Sequence, residues 1–147
     1  MDKILKKIFK MNHWIGVIGK KLTYDRFLKE TNTWFCMPHN SSINDLIVMY
    51  VSRRLTSKNS GFFAIYKIVS IDKSKDAECS QYGSMSGMGV KIFYTNVNLV
   101  RKIDIPVSFE KASNHPLLAH TRFIRRKMQA TYFPISQSEY GLIESLI

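Results

Sequence analysis

Apolar residues at the start of the chain fall three and four apart. Ile4, Leu5, Ile8 and Met11 alternate with Lys3, Lys6, Lys7 and Lys10, which predicts a short amphipathic helix over residues 2–10. That stretch, residues 1–11, reads as an appendage to one domain over residues 12–147. The period then changes. His13 to Ile18 predicts a strand closed by Gly19-Lys20-Lys21, and Thr23 is placed to cap a helix from Tyr24 to Glu30 with Asp25 in its first turn. The polar stretch His39-Asn40-Ser41-Ser42 predicts a loop, and the β-branched and aromatic runs Leu46–Val51 and Gly61–Ile71 predict strands. Asp72 to Gly89 is polar and glycine-containing, a long loop expected to form a lid or rim. Two further strands are expected over 89–97 and 99–107, with Pro106 marking an edge or end, then a single helical turn over 108–112. Ala130 to Pro134 predicts a last short strand. Ser136-Gln137-Ser138-Glu139 is a capping box opening a helix to about Leu146, with Ile135 and Tyr140 as its hydrophobic staple. Five or six strands follow one another with few helices between them, so the class is α+β, a mainly antiparallel sheet curled into a barrel.

Charge adds what periodicity does not. The 147 residues are 45% hydrophobic and 12% aromatic, enough to bury one core, and 22 basic residues oppose 11 acidic ones for a formal charge of +11 and a pI near 9.8. A polyanion is the partner such a balance favours. The excess is concentrated in residues 1–30 and 101–127. The run Arg122-Phe123-Ile124-Arg125-Arg126-Lys127 is denser than solubility requires. Arg53 and Arg54 form a second pair. No apolar run approaches the roughly 18 to 20 residues that cross a bilayer, and no secretory leader is evident, so a cytoplasmic protein without a membrane partner is expected. The two cysteines, Cys36 and Cys79, make no CxxC pair and are expected as reduced thiols.

Catalytic signatures are missing from the pattern. His13, His39, His115 and His120 show no metal-ligand spacing, Cys36 and His39 make a weak case for a dyad, and Gly83, Gly87 and Gly89 lie in a run without the lysine of a phosphate-binding loop. A binder that uses neither metal nor cofactor is expected, and not an enzyme. Aromatic residues beside basic ones are the remaining candidates. Trp34 precedes a polar loop, where a tryptophan is either core or pocket wall. On the strand 46–51, Leu46, Val48, Tyr50 and Ser52 share one face, so Tyr50 and Ser52 can line one wall. Such a wall can stack an unpaired base while a basic surround seats its phosphates.

The order of these motifs resembles the EVE domain, a PUA-like family related to YTH domains. The resemblance is carried by His13-Trp14-Ile15, by Trp34 with Pro38, by Asp45-Leu46-Ile47-Val48-Met49-Tyr50-Val51, and by Phe123-Ile124, Met128, Phe133-Pro134-Ile135-Ser136 and Glu139-Tyr140-Gly141-Leu142-Ile143. It implies a PUA-like pseudo-barrel that captures a single, often methylated base of RNA or DNA. Trp34 then maps to the pocket tryptophan, Tyr50 and Ser52 to its lining, Trp14 to pocket floor or core, and Tyr82 to a further wall. Asn40 and Ser42 are placed to read the base edge, while Arg53, Arg54, Arg122, Arg125, Arg126 and Lys127 are the phosphate contacts. The sequence departs from the family where Phe35-Cys36-Met37 replaces smaller residues after the tryptophan. The other reading is a protein-interaction or RNA-processing module on the same barrel.

Overall fold

The computed structural model describes residues 11–79 and 92–147. The expected N-terminal helix, Tyr82, the glycine run and most of the long loop lie outside the described residues. Six strands form one sheet in the order β2-β5-β4-β3-β1-β6: β1 (His13–Ile18), β2 (Asn32–Pro38), β3 (Leu46–Val51), β4 (Gly61–Ile71), β5 (Ile92–Val107) and β6 (Tyr132–Ile135). Helix α1 (Lys21–Lys29) follows β1. α2 (Phe109–Ser113) and α3 (Arg122–Arg125) follow β5, α4 (Gln137–Ser145) follows β6, and a 3₁₀ helix covers Lys73–Cys79. The sheet is mixed: β1 runs parallel to β3 and every other pair is antiparallel, giving an α+β pseudo-barrel.

The unbroken apolar run of β3 is explained by cover on both of its faces. Val48 and Tyr50 enter a core with Ile15, Phe62, Phe123 and Ile143, whereas Ile47, Met49 and Val51 enter a second with Trp14, Phe27, Phe35 and Tyr66. Helices α3 and α4 close the first core and α1 the second. Tyr66 donates from its phenol to the carbonyls of Phe27 and Glu30, and burial pushes its pKa up to about 12. Helix α4 opens on the expected capping box, Ser136 Oγ accepting from Glu139 N while Glu139 accepts from Ser136 N.

Four expectations are corrected. The segment 89–107 was expected as two strands, but β5 is continuous from Ile92, pairing with β2 along one edge and with β4 along the other, with three register shifts against β4. Trp34 to Pro38 is strand β2 rather than a loop entrance. Helix α1 begins at Lys21, with Lys20 rather than Thr23 at the cap, because the chain turns directly out of β1. Cys36 and Cys79 are joined in a disulfide between β2 and the 3₁₀ helix, not kept as separate thiols. Forty-three positions apart in sequence, they meet because β2 and the 3₁₀ helix both pack on β5.

Two local features set the register. Asp45, fully buried, accepts hydrogen bonds from the Trp14 indole at 2.9 Å, from Ser42 N at 2.8 Å and from Asn12 N at 3.1 Å, tying the start of β1 to the turn before β3. Gly61 opens β4 at a φ of 125°, where a Cβ would stand 2.2 Å from the Val107 carbonyl oxygen, so only glycine lets β4 and β5 approach there.

Candidate nucleic-acid interface

Strand directions gather five strand ends, and so three connections, at one end of the sheet. The parallel pairing of β1 and β3 puts Gly19 beside Ser52, and the antiparallel partners bring the start of β4, the end of β5 and the start of β6 to the same end. Two hydrogen bonds tie these connections together, Val17 N to the Thr131 carbonyl at 2.8 Å and Arg54 Nη2 to the Gly19 carbonyl at 3.3 Å. Between them lies a cavity of about 1060 Å³.

Its walls are aromatic and hydroxylic. Tyr50, Tyr132, Phe35 and Phe109 line it together with Ser52, Ser57 and Ser60. Tyr50 is seated edge-on against Phe62 with ring centres 5.2 Å apart, and burial pushes its phenol pKa up while Arg53 draws it down. Burial likewise raises that of Tyr132. Both phenols therefore stay protonated at neutral pH and can donate as well as accept. Ser52 Oγ is buried and has no hydrogen-bond partner among the described residues.

The mouth is cationic. Lys20, Arg53, Arg54, Arg122, Arg126 and Lys127 line the cavity against one carboxylate, Glu110. Helix α3 explains the arrangement of its basic run: Phe123 and Ile124 are buried, which leaves Arg122, Arg125 and Arg126 on the solvent side of a single turn. The chain then turns through two left-handed residues, Lys127 at φ 52° and Met128 at φ 59°, before Met128 re-enters the core and β6 begins. Left-handed backbone without glycine is strained by roughly 1–2 kcal/mol per residue, and this pair lies on the rim. Among the described residues Lys21 and Asp25 form the one ion pair, and Arg53, Arg122, Arg126 and Lys127 have no carboxylate within 4.0 Å there.

Of the residues singled out in the sequence, Tyr50, Ser52, Arg53, Arg54, Arg122, Arg126 and Lys127 come together here. Arg125 lines a shallower depression beside Arg126 and Lys127. Trp14 belongs to the core, 2% exposed, with its indole N–H committed to Asp45. Trp34, expected as the pocket wall, lies outside the cavity lining. It is stacked on Tyr94 at 4.9 Å, and the Arg26 guanidinium lies over its ring at 3.9 Å. The reason is β2's position beside β5, which presents Tyr94 to it. Asn40 and Ser42 are exposed in the turn before β3, away from the lining, and the Ser42 backbone N–H is already bound to Asp45. Residue-by-residue reading missed Lys20, Ser57, Ser60, Phe109, Gln129 and Tyr132; what they share is a place in, or beside, the connections at that one end of the sheet.

These features define a basic PUA-like pseudo-barrel with a cavity at one end of its sheet, a fold that is generally nucleic-acid-binding. Residues 12–146 match the EVE domain, and the chain belongs to that family. Solved structures share the fold. A hypothetical protein from Leishmania major is 16% identical with a TM-score of 0.66, covering 93% of this chain and 94% of that one. A Pseudomonas syringae protein is 10% identical with a TM-score of 0.66, covering 91% and 98%. A mutant ZmASCH protein from Zymomonas mobilis is 11% identical with a TM-score of 0.53, covering 91% and 97%. No curated protein matches the chain. Among the described residues no three His, Cys, Asp or Glu side chains gather to hold a metal, and no helix is long and apolar enough to cross a membrane.

Proposed function

We propose that this protein captures one base of a nucleic-acid strand, a methylated base in particular, in the cavity at the sheet end, and acts as a reader rather than a catalyst. The observation that carries the proposal is an aromatic- and hydroxyl-lined cavity whose mouth holds six basic side chains against one carboxylate. A base taken out of a stack loses a few kcal/mol, and stacking on an aromatic side chain returns roughly 1–3 kcal/mol, so phosphate contacts supply the remainder. Tyr50 and Tyr132 are the ring candidates, replacing the expected Trp34, and Ser52 with the tyrosine phenols supplies polar groups for the base edge. A methyl group adds on the order of 1 kcal/mol of apolar contact, so selectivity has to come chiefly from those polar groups.

The test is fluorescence anisotropy with single-stranded DNA and RNA oligonucleotides, each unmodified or carrying 5-methylcytosine or N6-methyladenine. Ser57→Trp, at an exposed position in the cavity lining, places an indole in the opening without touching the core. Preference for one modified strand, abolished in that variant while its melting curve is unchanged, supports the reading. Equal binding of every strand by the native protein, or preference surviving in Ser57→Trp, refutes it.

A further inference from the structure

The Cys36–Cys79 bond stands apart from both large cores. Cys36, Cys79 and Tyr94 form a third cluster, with Trp34 and Ile92 packed against it, and none of them belongs to the cores around Val48 and Ile47. On β2 the alternation turns Trp34 and Cys36 toward this cluster and Phe35 and Met37 into the core. The bond pins the 3₁₀ helix Lys73–Cys79 to that face of the sheet. Among the described residues, the hydrogen bonds and cation–ring contacts of segment 72–79 with β5 all fall on Phe93 and Tyr94. Asp72 N donates to the Tyr94 carbonyl at 3.0 Å and Tyr94 N to Asp76 Oδ1 at 3.2 Å. Lys73 Nζ and Lys75 Nζ lie 5.3 Å from the ring centres of Phe93 and Tyr94, respectively.

A bond that staples a fold and one that switches it look alike while closed; they differ in what lets go when the bond opens. Here both large cores close without either sulfur, whereas segment 72–79 is left with its few ties to Phe93 and Tyr94, so opening is local. Two wall residues of the cavity adjoin the cluster: Ile92 packs against it, and Phe35 is next to Cys36 on β2. We infer that the Cys36–Cys79 bond is a redox latch, opened by a small thiol of the glutathione class, whose reduction releases segment 72–79 from the sheet and loosens the cavity wall at Ile92 and Phe35. One thiolate attacks Cys79 Sγ and expels Cys36 as a thiolate. A second attacks the small-thiol sulfur of that mixed disulfide and expels Cys79, leaving two protein thiols, which take up the protons of the two entering thiols, and one small disulfide. The closed latch holds the wall in place, so the oxidised protein is the tighter binder of a strand. That last step, unlike the latch itself, rests on the base-capture reading. Because coupling between sites is reciprocal, a bound strand must resist reduction by the same factor.

The experiment compares the full chain when oxidised, when reduced with glutathione, and as Cys36→Ala/Cys79→Ala; the reduced native protein carries the comparison if the double variant fails to fold. In hydrogen–deuterium exchange the amides of Asp72, Lys75 and Tyr94 are expected to lose protection in both open forms. The Ile68 amide, bonded to the Asp45 carbonyl at 3.0 Å, is expected to stay protected. Reduction is expected in buffer without urea. Fluorescence anisotropy with single-stranded oligonucleotides carrying 5-methylcytosine or N6-methyladenine is expected to show binding weakened by about fivefold or more in the open forms, the lower end of ordinary coupling between sites. With that strand saturating, the ratio of squared glutathione to glutathione disulfide at half-reduction should rise by the same factor. The inference is overturned if glutathione reduces the protein only in urea that unfolds it, if segment 72–79 keeps its protection after reduction, or if Ile68 loses protection together with it. Equal affinity in the oxidised and open forms overturns the link to the cavity. If no strand binds the oxidised protein, base capture fails, and the exchange result alone decides the latch.

Discussion

Removing the disulfide tests the way the sheet edge is assembled. Cys36 and Cys79 are 2% and 1% exposed and sit in a cluster with Tyr94, Trp34 and Ile92. Their bond closes a loop of 43 positions that contains the end of β2, all of β3 and β4, and the 3₁₀ helix. The chain entropy restored to the unfolded state when such a loop opens corresponds to about 4 kcal/mol. With a urea dependence of roughly 2 kcal/mol per molar, the unfolding midpoint should fall by about 2 M. The assay is urea unfolding followed by Trp14 and Trp34 fluorescence, with and without reductant, alongside Cys36→Ala/Cys79→Ala. The double alanine variant avoids burying hydroxyls, is expected to match the reduced native protein within about 1 kcal/mol, and should be indifferent to reductant. Coincident native curves with and without reductant would refute the reasoning. So would both cysteines alkylating in the unreduced native protein, because a bonded pair offers no thiolate.

Three further outcomes follow from the core. Asp45→Ala leaves the Trp14 indole N–H unpaired in the interior and takes the acceptor from the half-buried Asn12 N–H and the Ser42 N–H, and should lower unfolding free energy by about 2–4 kcal/mol in urea titrations while changing Trp14 fluorescence. Gly61→Ala meets both the positive φ and the Val107 carbonyl, so a loss of roughly 2 kcal/mol or more, read as a fall in Tm, is expected. His13, packed on Tyr140 with ring centres 4.6 Å apart, has its pKa lowered by burial, against the pull of Asp45 and Glu144. The unfolded chain then binds more protons than the folded one below about pH 6.5, so its contribution is whole above that pH and is lost as pH falls through the folded value. His13→Phe should flatten that part of the stability profile between pH 7.5 and 5, and an unchanged slope would contradict it.

Local chemistry was readable wherever neighbours in the chain are neighbours in space. The Ser136 capping box and the two-faced alternation of β3 need only a few neighbouring residues of backbone, so spacing determines them. The order of motifs along the chain was enough for the family, because order survives when individual residues change. Trp34 shows where this stops. Its neighbours Tyr94 and Arg26 lie on other elements, and whether an indole lines a cavity or is stacked on a neighbouring strand depends on which strand pairs with β2. The same holds for the Cys36–Cys79 bond, for the parallel pairing of β1 with β3, and for the meeting of Tyr132, Ser57 and Lys20 around one opening. Strand order and direction come from burying two opposed faces at once, a sum over the whole sheet that no single window of residues contains.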